Sequence, residues 1–269
     1  MSKIKVENLS KYYGEVTAIE DVSFEIPSGQ FVVILGESGA GKSTLLRCLN
    51  GLTTPSSGTV AIGGSEVTDH RTDVGMIFQQ HNIIGQMTAY RNALTGALSR
   101  TTLLRSLLQW NDRSDKIASL EALDTVGLLD EANQNAKQMS GGQQQRVGIA
   151  RALVQEPNLL LADEPVASLD PASAESVMGY IKQAATEHDL TTLASLHQVN
   201  IAREFGERFI GMKDGQMVFD GSRDDLTVEV IDDIYGDIQT DSIRESANDS
   251  EADESRPAAG PTKNAEVAE

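Results

Sequence analysis

The run GESGAGKST, Gly36 to Thr44, leaves this chain few folds to choose from. It fits the pattern G-x-x-x-x-G-K-[ST], a glycine loop that works only between a strand and a helix. Both neighbours are in place, because QFVVIL before it is β-branched and apolar and KSTLLRCLNGL after it reads as a helix. Its glycines let the backbone curl until N–H groups along Gly36, Glu37, Ser38, Gly39, Ala40, Gly41, Lys42, Ser43 and Thr44 face a bound phosphate chain. Lys42 then neutralises β- and γ-phosphates, and the Ser43 hydroxyl can ligate Mg²⁺. Glu37 places an acid in this loop. Turned to solvent, its side chain costs little affinity for ATP, and turned to the phosphates it costs more.

The rest of the chain predicts the sheet that such a loop needs. NLLLAD is a continuous apolar run ending in an acid, the pattern of a buried parallel strand. DPASAESVMGYIKQAATEH predicts a helix with Pro171 in its first turn, TTLASL a strand and VNIAREFG a helix. RFIGMKDGQMVFDG predicts a hairpin about Asp214-Gly215. The first third is strand-rich, with IKVENL, AIEDVSFEI, GTVAIGG and DVGMIFQQ. From about Met87 to Leu129 the pattern turns helical, in LTGALSRTTLLRSLLQW and KIASLEALDTVGLL, and predicts an insertion separate from the main sheet. Strands alternating with helices give an α/β fold, mostly parallel, with ligand loops at the strand C-termini.

Two further stretches carry chemistry. LLLADE, residues 159–164, ends its strand in two carboxylates. Asp163 can hold Mg²⁺ through its water shell, and Glu164 is placed to polarise a water attacking the γ-phosphate. QMSGGQQQRVGIARAL, residues 138–153, reads as a polar loop opening a helix, with N–H groups aimed outward at an anion. The stretch holds no lysine, so alone it is half of an anion site.

Composition sets limits on partners. The formal net charge is −18, opposite to the basic footprint of a nucleic-acid binder, so nucleic acid is not expected as a ligand. Residues 237–269 hold nine acidic and three basic residues and are too polar to build a core, which predicts an acidic disordered tail. The remaining acidity runs through the folded part and fits a protein of a high-salt cytoplasm. No apolar run nears the ~20 residues that span a bilayer, and MSKIKVENLSKYYG lacks the apolar segment of a signal peptide. Cys48 is the single cysteine, which excludes an internal disulfide and suits a reducing compartment.

Taken in order, these motifs resemble those of the nucleotide-binding subunits of ABC transporters, over nearly all of residues 1–236. MSGGQ, Met139 to Gln143, is similar to the family signature, with methionine where leucine is usual. The resemblance places Gln79 as the Q-loop glutamine, which lies near the metal and the attacking water. It gives SLD, Ser168 to Asp170, as the D-loop, and His197 as the switch histidine. Tyr13, 23 residues before Gly36, takes the place of the aromatic that stacks on adenine, with Tyr12 its competitor. The fold so implied is a P-loop NTPase core with an N-terminal antiparallel β subdomain and a helical signature subdomain at about 80–155.

In that family two copies face head to tail, so Ser140, Gly141, Gly142 and Gln143 of one copy close over ATP on the phosphate loop of the other. One copy of each motif then implies a homodimer that hydrolyses ATP with Mg²⁺ only when closed. The signature helix and the segment around 80–130 would pass movement to membrane partners through the Gln79 loop. LADEPVASLDP, TGALSRTTLLRSLLQW, SLHQVNIAREFGERFIGMKDGQMVFDG and IDDIYG resemble the ATPase subunit of phosphonate importers. This implies two transmembrane permease subunits, an external phosphonate-binding protein and a peripheral place on the cytoplasmic face of the cell membrane. Phosphite, phosphate and polar amino acids are the rival cargoes. A soluble ABC ATPase of translation or DNA repair is opposed by the single cassette and the acidic charge. His70, His81 and His188 receive no role, and Trp110 is read as a packing residue.

Overall fold

The computed structural model describes residues 3–79, 82–100 and 112–236. His81, Trp110, the acidic tail and most of LTGALSRTTLLRSLLQW lie outside the described residues. Two sheets organise the rest. Strands β1 (Ile4–Tyr13), β2 (Val16–Ile26), β4 (Ser57–Ile62) and β5 (Ser65–Glu66) form an antiparallel sheet in the order β2-β1-β4-β5. The second holds β3 (Phe31–Leu35), β6 (Val74–Ile77), β7 (Leu159–Asp163), β8 (Thr191–Leu196), β9 (Arg208–Lys213) and β10 (Gln216–Ser222). Its order is β10-β9-β3-β8-β7-β6, parallel throughout except for β10, which returns from β9 as a hairpin. Asp214 (φ 49) and Gly215 (φ 83) make that turn in left-handed geometry, as the Asp-Gly pair predicts.

The uninterrupted apolar runs are explained by burial on both faces. Along β3, Val32 and Ile34 join a core with the antiparallel sheet and with helix α1 (Lys42–Leu49). Phe31, Val33 and Leu35 join the opposite core, shared with α4 (Gly141–Val154), α5 (Pro171–Glu187) and α6 (Val199–Phe205). β7 divides in the same way, with Leu159 and Leu161 on one side and Leu160 and Ala162 on the other. Each fully buried aliphatic side chain contributes about 1.5–3 kcal/mol, so a strand buried on two faces outweighs any local preference for helix.

The helical region expected between 87 and 129 resolves into shorter pieces. Helix α2 (Ala89–Leu94) is capped by Thr88, whose hydroxyl accepts from the Arg91 N–H at 3.2 Å, and it tightens into a 3₁₀ turn over Thr95–Arg100. Helix α3 (Arg113–Thr125) stops four residues before the predicted end. Gly127 (φ 63) explains the stop, since its left-handed backbone lets the chain leave the helix. α5 begins on the Asp170 cap, whose carboxylate accepts from the Ser173 N–H at 3.0 Å, with Pro171 next. A last helix, α7 (Val228–Tyr235), lies over β9 and β10.

Candidate functional site

The phosphate loop and the two loops that carry the acid and the histidine leave the C-terminal ends of parallel strands. Gly36 to Gly41 follow β3, Glu164 follows β7 and His197 follows β8. The loop can close tightly only because two positions lack side chains. A Cβ on Gly36 (φ 151) would stand 2.3 Å from the Met212 carbonyl oxygen, and one on Gly41 (φ 98) 2.4 Å from that of Ala18. Gly41 ends the loop, and Lys42 opens α1, so Lys42, Ser43 and Thr44 have first-turn N–H groups that the helix itself leaves unpaired. Glu37 is exposed, and its carboxylate lies close enough to Lys42 to favour the charged form of that lysine.

Lys42 is 3% exposed, and its ammonium donates to the carbonyls of Gly36 (2.7 Å) and Glu37 (2.8 Å). It stands 3.7 Å from Glu164 Oε1. Burial pulls its pKa down, and the carboxylates of Glu164 and Asp163 oppose that shift. The Ser43 hydroxyl donates to Asp163 Oδ1 at 2.7 Å, across 120 residues of sequence. A hydroxyl beside one buried carboxylate is a hard-oxygen pair of the kind Mg²⁺ shares with phosphate and water. The donor set therefore fits that ion.

Glu164 adopts the left-handed region (φ 49), a conformation costing about 1–3 kcal/mol in a residue with a side chain. Its N–H donates to Ser195 Oγ at 2.9 Å, which helps hold the turn. The same Ser195 hydroxyl lies 3.2 Å from Asp163 Oδ1, so one buried serine braces both acids. The Glu164 carboxylate meets His197 Nε2 directly. Ser195 escaped the sequence reading. Its signal was present, since a serine inside the apolar run TTLASL needs a polar partner.

The remaining candidates lie around this centre. Tyr13 and Tyr12 close β1 and are 49% and 42% exposed, with the Lys11 ammonium 5.0 Å from the Tyr13 ring centre. The competition between the two tyrosines for a stacking role stays open on exposure alone. Gln79 is exposed beyond β6, and its segment is tied to α4 at two points. Gln145 Nε2 donates to the Phe78 carbonyl at 3.4 Å, and the Arg151 guanidinium donates to the Asn82 carbonyl.

At the start of α4, Ser140 and Gln143 form a reciprocal capping box: Ser140 Oγ accepts from the Gln143 N–H (3.3 Å) and Gln143 Oε1 from the Ser140 N–H (2.9 Å). Ser140 and Gly141 are exposed. Side-chain space at Gly141 and Gly142 is bounded by Leu169 and Ser173, each 3.4 Å from an added Cβ. Among the described residues, no hydrogen bond or ion pair joins this loop to the phosphate loop of the same chain.

A phosphate loop, paired acids at the end of the next strand but one in the sheet and a histidine on the second acid define a nucleoside-triphosphate-binding protein of the P-loop class. Residues 19–167 match the family model described as ABC transporter, and the chain belongs to that family. It is 75% identical over 253 residues, 94% of this chain and 90% of the other, to a phosphonates import ATP-binding protein of Halobacterium salinarum. A hypophosphite import ATP-binding protein of Stutzerimonas stutzeri is 43% identical, over 86% of this chain and 70% of its own. Among solved structures, a dimeric post-hydrolysis ATP-binding cassette bound to ADP and Pi superposes with a TM-score of 0.69 at 35% identity, covering 82% of this chain and 98% of that one.

Proposed function

We propose that the chain is the ATP-hydrolysing subunit of an importer for phosphonates, working as a homodimer on two membrane permease subunits fed by an external binding protein. The observation that supports hydrolysis best is the convergence of Ser43 with Asp163 and of His197 with Glu164 beside Lys42. The phosphate-loop N–H groups and Lys42 would receive the β- and γ-phosphates of ATP, while Ser43 and Asp163 would hold Mg²⁺. When bound, that ion offsets charge on the phosphate oxygens. Glu164 accepts a proton from the attacking water, and His197, in contact with the same carboxylate, fixes its direction. Gln79 would serve the metal and the attacking water, and Tyr13 would stack on adenine. Ser140, Gly141, Gly142 and Gln143 of a second copy complete the cage, with Asp170 beside them in the D-loop.

No described helix is long and apolar enough to cross a membrane. As an import ATP-binding subunit, the chain would sit peripherally on separate permeases at the cytoplasmic face. The phosphonate cargo rests on the Halobacterium relative, and the hypophosphite relative keeps a smaller phosphorus oxyanion as the second reading. Reconstitution in vesicles with the permease pair and binding protein separates them. Methylphosphonate in the lumen with the binding protein should stimulate ATP hydrolysis several-fold, and hypophosphite or phosphate should not. Stimulation by hypophosphite alone would overturn the phosphonate assignment and leave the ATPase standing.

A further inference from the structure

The phosphate loop has a second anchor, far from it in sequence. The Gly36 N–H donates to the Tyr235 hydroxyl at 3.2 Å, between residues 199 positions apart. Tyr235 is the last residue of α7 and is 3% exposed. Its two predecessors are fixed as well. The Asp233 carbonyl accepts from Lys213 Nζ at 2.7 Å. Ile234 sits against Gly211 so closely that a Cβ there would meet Ile234 Cδ1 at 2.6 Å. Three consecutive residues thus lock the end of α7 to β9 and to the start of the loop.

We propose that Tyr235 is a positioning residue of the nucleotide site, holding the first N–H of the phosphate loop so that the following ones stay turned toward phosphate. The proposal rests on the reading of this loop as the ATP site. The Gly36 N–H needs such an acceptor because the residue is buried away from water, while its carbonyl is held separately by the Lys42 ammonium. A buried N–H without an acceptor pulls the backbone toward other partners, carbonyls of the loop or water. A loop that spends only part of its time in the receiving conformation binds more weakly by that fraction. The phenol suits the task because burial raises its pKa to about 12, which keeps it a neutral hydroxyl throughout the working pH range.

Tyr235→Phe keeps the ring and removes the acceptor, so the packing of α7 is preserved. ATP affinity, read with a fluorescent ATP analogue on the full chain, should fall about five- to thirtyfold, with the KM of hydrolysis rising in parallel. The kcat at saturating ATP should stay within twofold, because bound nucleotide restores the loop. A variant whose affinity and KM equal those of the wild type overturns the proposal, whatever happens to its melting temperature. Wild-type protein that neither binds nor hydrolyses ATP would instead overturn the ATP-site reading, and the role of Tyr235 with it.

Discussion

Glu164→Gln should keep ATP bound and lower phosphate release by about 10²–10⁴-fold, the range a positioned general base contributes. The amide fills the same volume but has no basic oxygen to take a proton from water. Its neighbours are left in place: His197 Nε2 keeps a carbonyl oxygen to meet, and Lys42 keeps its bonds to the Gly36 and Glu37 carbonyls. Because binding survives and turnover does not, the variant should accumulate as an ATP-bound dimer, visible as a shift in size-exclusion elution when ATP and Mg²⁺ are added. Turnover near the wild-type rate would remove Glu164 from the role of base.

Ser140→Arg should be as damaging by a different route. Ser140 is an exposed cap, and its capping bond to Gln143 is worth about 1 kcal/mol, so the fold should tolerate the change. An arginine at that place would occupy the space a second copy's γ-phosphate needs. Hydrolysis is expected to drop below about 1% of wild type, in line with losing preorganised donors at the transferring group. ATP binding to the separated monomer should remain within about threefold, measured with the same fluorescent nucleotide. Loss of binding in the monomer would show that the loop serves its own chain, and the across-the-dimer role would fall.

Local pattern made most of the fold legible. β3, β7 and β8 announce themselves as apolar runs because both faces of the parallel sheet are covered. The cap at Asp170 with Pro171 and the turn at Asp214-Gly215 are written in residues with narrow backbone preferences. The phosphate loop and paired acids were readable for the same reason, since their chemistry demands fixed spacing. What spacing cannot carry is contact between distant elements. The strand order, the bond of Ser43 to Asp163, the brace from Ser195 and the hand of Tyr235 on Gly36 all depend on how the sheet is assembled. IDDIYG drew notice only for its likeness to relatives, and nothing in its pattern pointed to a loop 199 residues earlier. The acidic balance of −18 fits a high-salt protein, and the Halobacterium relative agrees with it.

The position of the SGGQ loop, packed beside Leu169 and Ser173 and unbonded to its own phosphate loop, has a consequence in the language of complementation. Glu164→Gln and Ser140→Arg each inactivate a different half of the shared cage. When the two inert chains are mixed, every mixed dimer pairs one sound phosphate-loop half with one sound capping half and wastes the other pair. Two alleles that are each null would then rescue one another in the same cell, with up to about half the sites working in each mixed dimer. Within a single polypeptide, the two defects would never complement.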